Sequence, residues 1–104
     1  MSSLYSARNR EWRATPFPGI EICPMGGGDA VNSAAYRVAA GVVLPPHQHP
    51  VWELVTVLSG SIRLGDAVMK PGDVLHTGPG ETHDIEAHEE SVFIVTVGQD
   101  RQLG

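Results

Sequence analysis

Residues 41–60 read GVVLPPHQHPVWELVTVLSG, and the reading of this stretch decides the fold. It places His47 and His49 one residue apart and brings in Glu53 after three more, at the start of the β-rich run ELVTVLSG. Alternate residues of a strand face the same side, so His47 and His49 are expected to project together from one face of a sheet. Pro50 interrupts that alternation, yet Glu53 opens the next run, from which its carboxylate can reach back to the same point. The spacing permits this without requiring it. Imidazole nitrogen and carboxylate oxygen are donors for divalent first-row metals. Three donors leave a site incomplete. His83, which follows the turn GPGET and starts the alternating run HDIEA, is the best placed fourth.

Outward from this stretch, the chain from Tyr36 on consists of short β-rich runs bounded by glycine and proline: YRVAAGVV, ELVTVLSG, SIRLG, GDVLHT, HDIEA and SVFIVTV. That spacing predicts an all-β sandwich or barrel of antiparallel strands. No stretch keeps an apolar period of 3.6 over ten or more residues, although SARNREWRA has room for a helical turn or two. In the first 35 residues Pro16, Pro18, Gly19 and the GGGD of residues 26–29 break every element early, which predicts short extended pieces joined by turns. GGGD lacks the lysine and the helix that a phosphate loop needs, and reads as a turn. The division expected is therefore an extended segment over 1–35, in the barrel or at a dimer interface, and a barrel over 36–104.

Composition agrees with one soluble domain: 104 residues, 41% hydrophobic and 18% charged. A chain this short buries only about 60–65% of its unfolded surface, so barrel closure, a metal or a dimer interface would each add stability. The formal charge of −5, with no cluster of Lys and Arg, offers no footprint for nucleic acid or an anionic membrane, and neither partner is expected. MSSLYSARNREWR lacks the apolar core of a signal peptide, and no apolar run approaches the roughly 18 residues a spanning helix needs, which reads as cytoplasmic. Cys23 is the single cysteine, so no intrachain disulfide forms.

At this point the chain resembles the cupin family. Residues 41–60 fill every position of its first motif, G-x5-H-x-H-x3-E-x6-G. The second motif, G-x5-P-x-G-x2-H-x3-N, is matched from Gly72, with Gly80 and His83 in place. Gly78 stands where the motif has proline, with Pro79 beside it, and Ala87 replaces the terminal asparagine; neither change removes a ligand. The resemblance runs over residues 36–97, and ATPFPGIEICPM is similar to the cupin domains of the anti-sigma factor ChrR and of certain acetophenone dioxygenases. It implies a single jelly-roll β-barrel with one divalent metal ion per chain, Fe, Mn, Ni or Zn, held by His47, His49, Glu53 and His83. It also implies a homodimer and a small-molecule substrate. The activity expected is that of a metal-dependent oxygenase acting on a small enol, diketone or phenolic ketone. The alternatives are an isomerase or lyase that uses the metal as a Lewis acid, and a non-enzymatic zinc-binding or sensing cupin. Against the sensor, nothing in this sequence reads as the helical sigma-binding domain that such a regulator carries.

The catalytic candidates are Glu53, as a ligand that can leave to take a proton, and His76. Alternation through GDVLHT puts His76 either into the barrel, where it would serve as a general acid or base, or out into solvent. His88, beside Glu89 and Glu90, is expected in solvent. Trp52 is expected to pack rather than to bind. Arg63 lies between Ile62 and Leu64, so burial of its neighbours points it outward. Tyr36, Val38, Val55, Val57, Ile85, Phe93 and Val95 are expected to line the barrel.

Overall fold

The β-rich runs pair into two antiparallel sheets that face each other across one core. In the computed structural model, residues 2–28, 30–48 and 51–98 are described, with the side chains of His47 and Gln48 excepted. The larger sheet carries, in spatial order, β1 (Arg13–Ala14), β2 (Ile20–Gly27), β3 (Val31–Val38), β10 (Ser91–Gly98), β5 (Trp52–Ser59) and β8 (Val74–Thr77). The smaller carries β4 (Val43–Gln48), β9 (Thr82–Ala87), β6 (Ile62–Leu64) and β7 (Ala67–Met69). This is the jelly-roll arrangement expected of the sequence. Among the described residues the helical content is one 3-10 turn, Ala7–Asn9, capped by the Ser6 hydroxyl, which accepts from the Arg8 N–H. No helix among them is long and apolar enough to cross a membrane.

Period-two alternation builds the core. Along β5 the buried residues are Glu53, Val55 and Val57, with half-buried neighbours between them, and along β6 Ile62 and Leu64 are buried on either side of Arg63. Val38, Val55, Val57 and Phe93 of the larger sheet meet Ile62, Leu64, Ile85 and Ala87 of the smaller, and Tyr36 and Val95 pack against this cluster. The expected lining therefore lies inside. Arg63 points outward, as its neighbours require: its Nη1 and Nη2 donate to the two carboxylate oxygens of Asp84 at 3.1 and 2.9 Å, and its Nε donates to Glu86 at 3.4 Å. The bidentate pair, ahead of every other influence, holds the Asp84 carboxyl below its ordinary range and Arg63 above its own. His88 is exposed, with Nε2 3.6 Å from Glu86.

Two boundaries differ from the sequence reading. YRVAAGVV is not one strand: β3 ends at Val38, β4 begins at Val43, and between them the Val42 N–H donates to the Ala39 carbonyl at 3.2 Å in a turn. The N-terminal segment contains a full strand, β2, in register with β3 from Ile20↔Val38 to Pro24↔Ala34. Pro24 donates no ladder hydrogen bond, and the register shifts between Pro24 and Gly27. Those residues hid the strand.

Candidate metal centre and ligand cavity

Register brings three of the predicted ligand positions, 47, 53 and 83, to one end of the sandwich. On β4 and β9, His47 stands opposite His83; on β5 and β8, Glu53 stands opposite Thr77. The two sheets are joined there by a side-chain contact, Thr77 Oγ1 to His83 Nε2 at 3.2 Å. His83 thus turns Nε2 toward the strand pair that carries Glu53. The other ring nitrogen faces the β6–β7 turn at Gly65, where a Cβ would lie 2.9 Å from Nδ1 and where the backbone has φ +57. Only glycine leaves the imidazole this seat. Glu81, in the turn before β9, places Oε2 3.4 Å from Nε2; the sequence reading did not single it out.

Glu53 is 7% exposed and lines a cavity of about 410 Å³. The other walls are mostly apolar, among them Ile22, Leu44, Ile85, Phe93 and Val95. Tyr36 enters from β3, its ring stacked on Phe93 at 5.8 Å between centroids and 20° between planes. Burial, and then the Glu53 charge, push the Tyr36 phenol above its ordinary value, so the group is a protonated donor at neutral pH. Thr15 also reaches this cavity, but its hydroxyl donates to the Ile20 carbonyl at 2.8 Å and accepts from the Phe17 N–H at 3.1 Å.

Of the four proposed ligands, Glu53 and His83 are described in full, His47 by its backbone only, and His49 lies outside the described residues. Among the described residues no three His, Cys, Asp or Glu side chains form a metal cage. The two that are described suit a divalent metal: a buried carboxylate and an imidazole whose Nε2 looks toward its strand pair, with position 47 in backbone register with His83 on the neighbouring strand.

His76 takes the solvent side of the two orientations the sequence allowed. Its neighbour Thr77 is 1% exposed, whereas His76 is exposed and stacks on Trp52 at 6.2 Å between centroids. The role of acid or base inside the barrel is therefore not carried forward for His76. The physical reason is the register of β8 on β5, which sets Thr77 beside Glu53. Trp52 packs, as expected: it lies so close over Gly98 that any side chain there would collide with the indole.

Residues 2–100 match the sequence model of a family described as the ChrR cupin-like domain. The chain belongs to that family. Its sequence is 31% identical over 100 residues to the DNA damage-repair/toleration protein DRT102 of Arabidopsis thaliana, covering 86% of this chain and 31% of that protein. It thus spans less than a third of that relative's length. Among solved structures, this ChrR-like cupin is similar to KdgF from a Halomonas species, with a TM-score of 0.81, 20% identity and 97% of each chain covered. It is similar to the polyketide cyclase RemF from Streptomyces resistomycificus, at a TM-score of 0.80 and 19% identity over 94% of this chain and 80% of that one. A third likeness is to a chain in the complex of Rhodobacter sphaeroides SigE with the anti-sigma ChrR, at 0.79 and 20% over 88% of this chain and 51% of that one. At these identities the structural likeness speaks for the fold.

Proposed function

We propose that this ChrR-like cupin is a mononuclear metal enzyme, an oxygenase acting on a small enol, diketone or phenolic ketone, with His47, His49, Glu53 and His83 as the metal ligands. The observation that carries the reading is the buried Glu53 carboxylate on the wall of a largely apolar cavity, at the end where His83 and His47 stand in register. When bound, a divalent metal there supplies Lewis acidity and, for iron or manganese, redox capacity. The chain's own residues do the rest. The apolar wall excludes water and seats the ligand's carbon skeleton, while Glu53 accepts a proton from the ligand's enolisable carbon or hydroxyl. The same arrangement serves an isomerase or lyase, in which the ligand leaves without net oxidation. The family match supports a second reading, a metal-filled sensor that binds a regulatory protein, since the anti-sigma ChrR is crystallised with SigE.

The test is metal analysis of protein purified without a chelating tag, then anaerobic Fe(II) loading and oxygen uptake with β-diketones and hydroxyaryl ketones. Substrate-dependent uptake supports the oxygenase. Stoichiometric zinc with no uptake transfers the assignment to the Lewis-acid or sensor readings. Absence of any bound metal overturns all three.

Gly65 supplies a structural check. Gly65→Ala is expected to weaken metal binding about 10–100-fold, the range seen when groups that orient a ligand are disturbed, because the new Cβ must move the His83 ring. Gly72→Ala is the control. Gly72 also has positive φ, +92, but open space around it, so that variant shares the backbone strain and keeps its metal affinity. Competition titration with a metal-sensitive dye measures both; equal loss in the two variants would count against His83.

A further inference from the structure

Tyr36 stands where two cavities meet. The first, of about 410 Å³, contains Glu53; the second, of about 470 Å³, is lined only by residues of β2, β3 and β10 and reaches past Pro24, Ala34 and Val97. Ile22, Tyr36 and Val95 border both. The stack on Phe93 fixes the Tyr36 ring, and among the described residues its hydroxyl makes no hydrogen bond. In the first cavity the Thr15 hydroxyl is committed to backbone groups and Glu53 is a carboxylate, which leaves the phenol as the neutral side-chain donor available to a ligand. Each cavity alone falls toward the low end of the roughly 300–1,000 Å³ of small-molecule sites.

We propose that Tyr36 is a specificity-determining residue: its hydroxyl donates to a carbonyl or phenolate oxygen of the ligand in the first cavity, while the ligand's apolar body continues into the second. The ligand class is accordingly an aryl or acyl ketone larger than one ring. This deepens the oxygenase reading and rests on it for the placement of the ligand's oxygen near Glu53. Two features decide the class. Mostly apolar walls on both sides of Tyr36, broken in the second cavity by Asn32 and by Ser33, whose hydroxyl pairs with Thr96 at 2.9 Å, favour a hydrocarbon body, and a single neutral side-chain donor in the first cavity rewards one acceptor there.

Three probes test this by calorimetric titration of the full chain: acetophenone, 2-acetylnaphthalene and 2-isopropenylnaphthalene, the last a hydrocarbon of nearly the same shape as the second. The wild-type chain is expected to bind the naphthyl ketone more tightly than acetophenone. Tyr36→Phe keeps the ring on Phe93 and removes the hydroxyl. It is expected to weaken both ketones about 3–10-fold, the worth of one net hydrogen bond, and to leave the hydrocarbon unchanged. Ala34→Leu, which adds bulk at the second cavity, is expected to weaken the naphthyl ketone and to spare acetophenone. Equal loss of ketone and hydrocarbon in Tyr36→Phe, no loss of either, or no ketone binding by the wild-type chain overturns the proposal. Metal content is read separately on the same samples. A chain that shows Tyr36-dependent ketone binding without holding metal sinks the oxygenase and keeps this assignment, and one that holds metal without binding ketones does the reverse.

Discussion

Replacing His83 with alanine is expected to lower metal affinity by more than about 100-fold, beyond the 10–100-fold that loss of an outer partner costs, while the barrel stays folded. The second motif supplies this one donor. His83 stands opposite His47 and turns Nε2 toward the strand pair that carries Glu53, so in the proposed four-ligand site its loss leaves one side open. The fold tolerates the change because the side chain is 26% exposed and its described contacts are with Thr77, Glu81 and the Gly65 turn rather than with the central apolar cluster. The stability cost is that of about one hydrogen bond, roughly 0.5–1.5 kcal/mol. Plasma mass spectrometry of the purified variant, with a competition titration, gives the answer. Full metal retention at unchanged affinity would sink the four-residue site. His83→Gln separates ligation from packing: it restores bulk and polarity without an imidazole, and is expected to stay as metal-poor as the alanine variant.

What the sequence made legible is what depends on near neighbours. Alternation in ELVTVLSG and SIRLG fixed which residues of β5 and β6 face the core, and it sent Arg63 outward, because burying Ile62 and Leu64 leaves that side chain no other direction. The two-motif resemblance carried the fold, and it implies the ligand set proposed above. β2 escaped because its strand character is supplied by its partner. Pro24, Gly26 and Gly27 have poor strand propensity, and the pairing with β3, from Ile20 to Gly27 with a shift after Pro24, overrides it.

The site shows the same division. GDVLHT has the same alternation in either phase, and only the long-range pairing Glu53↔Thr77 sends Thr77 inward and His76 out to Trp52. A strand of four residues at the edge of a sheet carries too little pattern to set its own phase. Gly65 and Glu81 were equally unreadable, since each matters through its distance to His83 and neither fills a specified position of a motif. Tyr36 was legible as lining; its place between two cavities depends on β2, the strand the sequence concealed.

Phe93→Ala is expected to destabilise the fold by about 3–5 kcal/mol, the usual cost of deleting a buried aromatic ring. Phe93 is 1% exposed and heads the fully buried side chains by volume. It sits on the central strand pair of the larger sheet, in register with Tyr36 on β3 and Val57 on β5, and stacks on the Tyr36 ring. The upper half of the range is expected, because Phe93 also walls the 410 Å³ cavity: the vacated space joins an existing one and has little chance to close. Domains of this size have about 5–15 kcal/mol in total, so the variant loses a large share of its stability at 25 °C and roughly 16–40 °C in Tm, at about 4–8 °C per kcal/mol. Urea denaturation measures it, with Leu58→Ala, at a position 39% exposed, as the control expected to stay within about 0.5 kcal/mol of the parent. A loss below about 1 kcal/mol for Phe93→Ala would mean that the two sheets do not close over this ring, and would remove the wall against which Tyr36 is held.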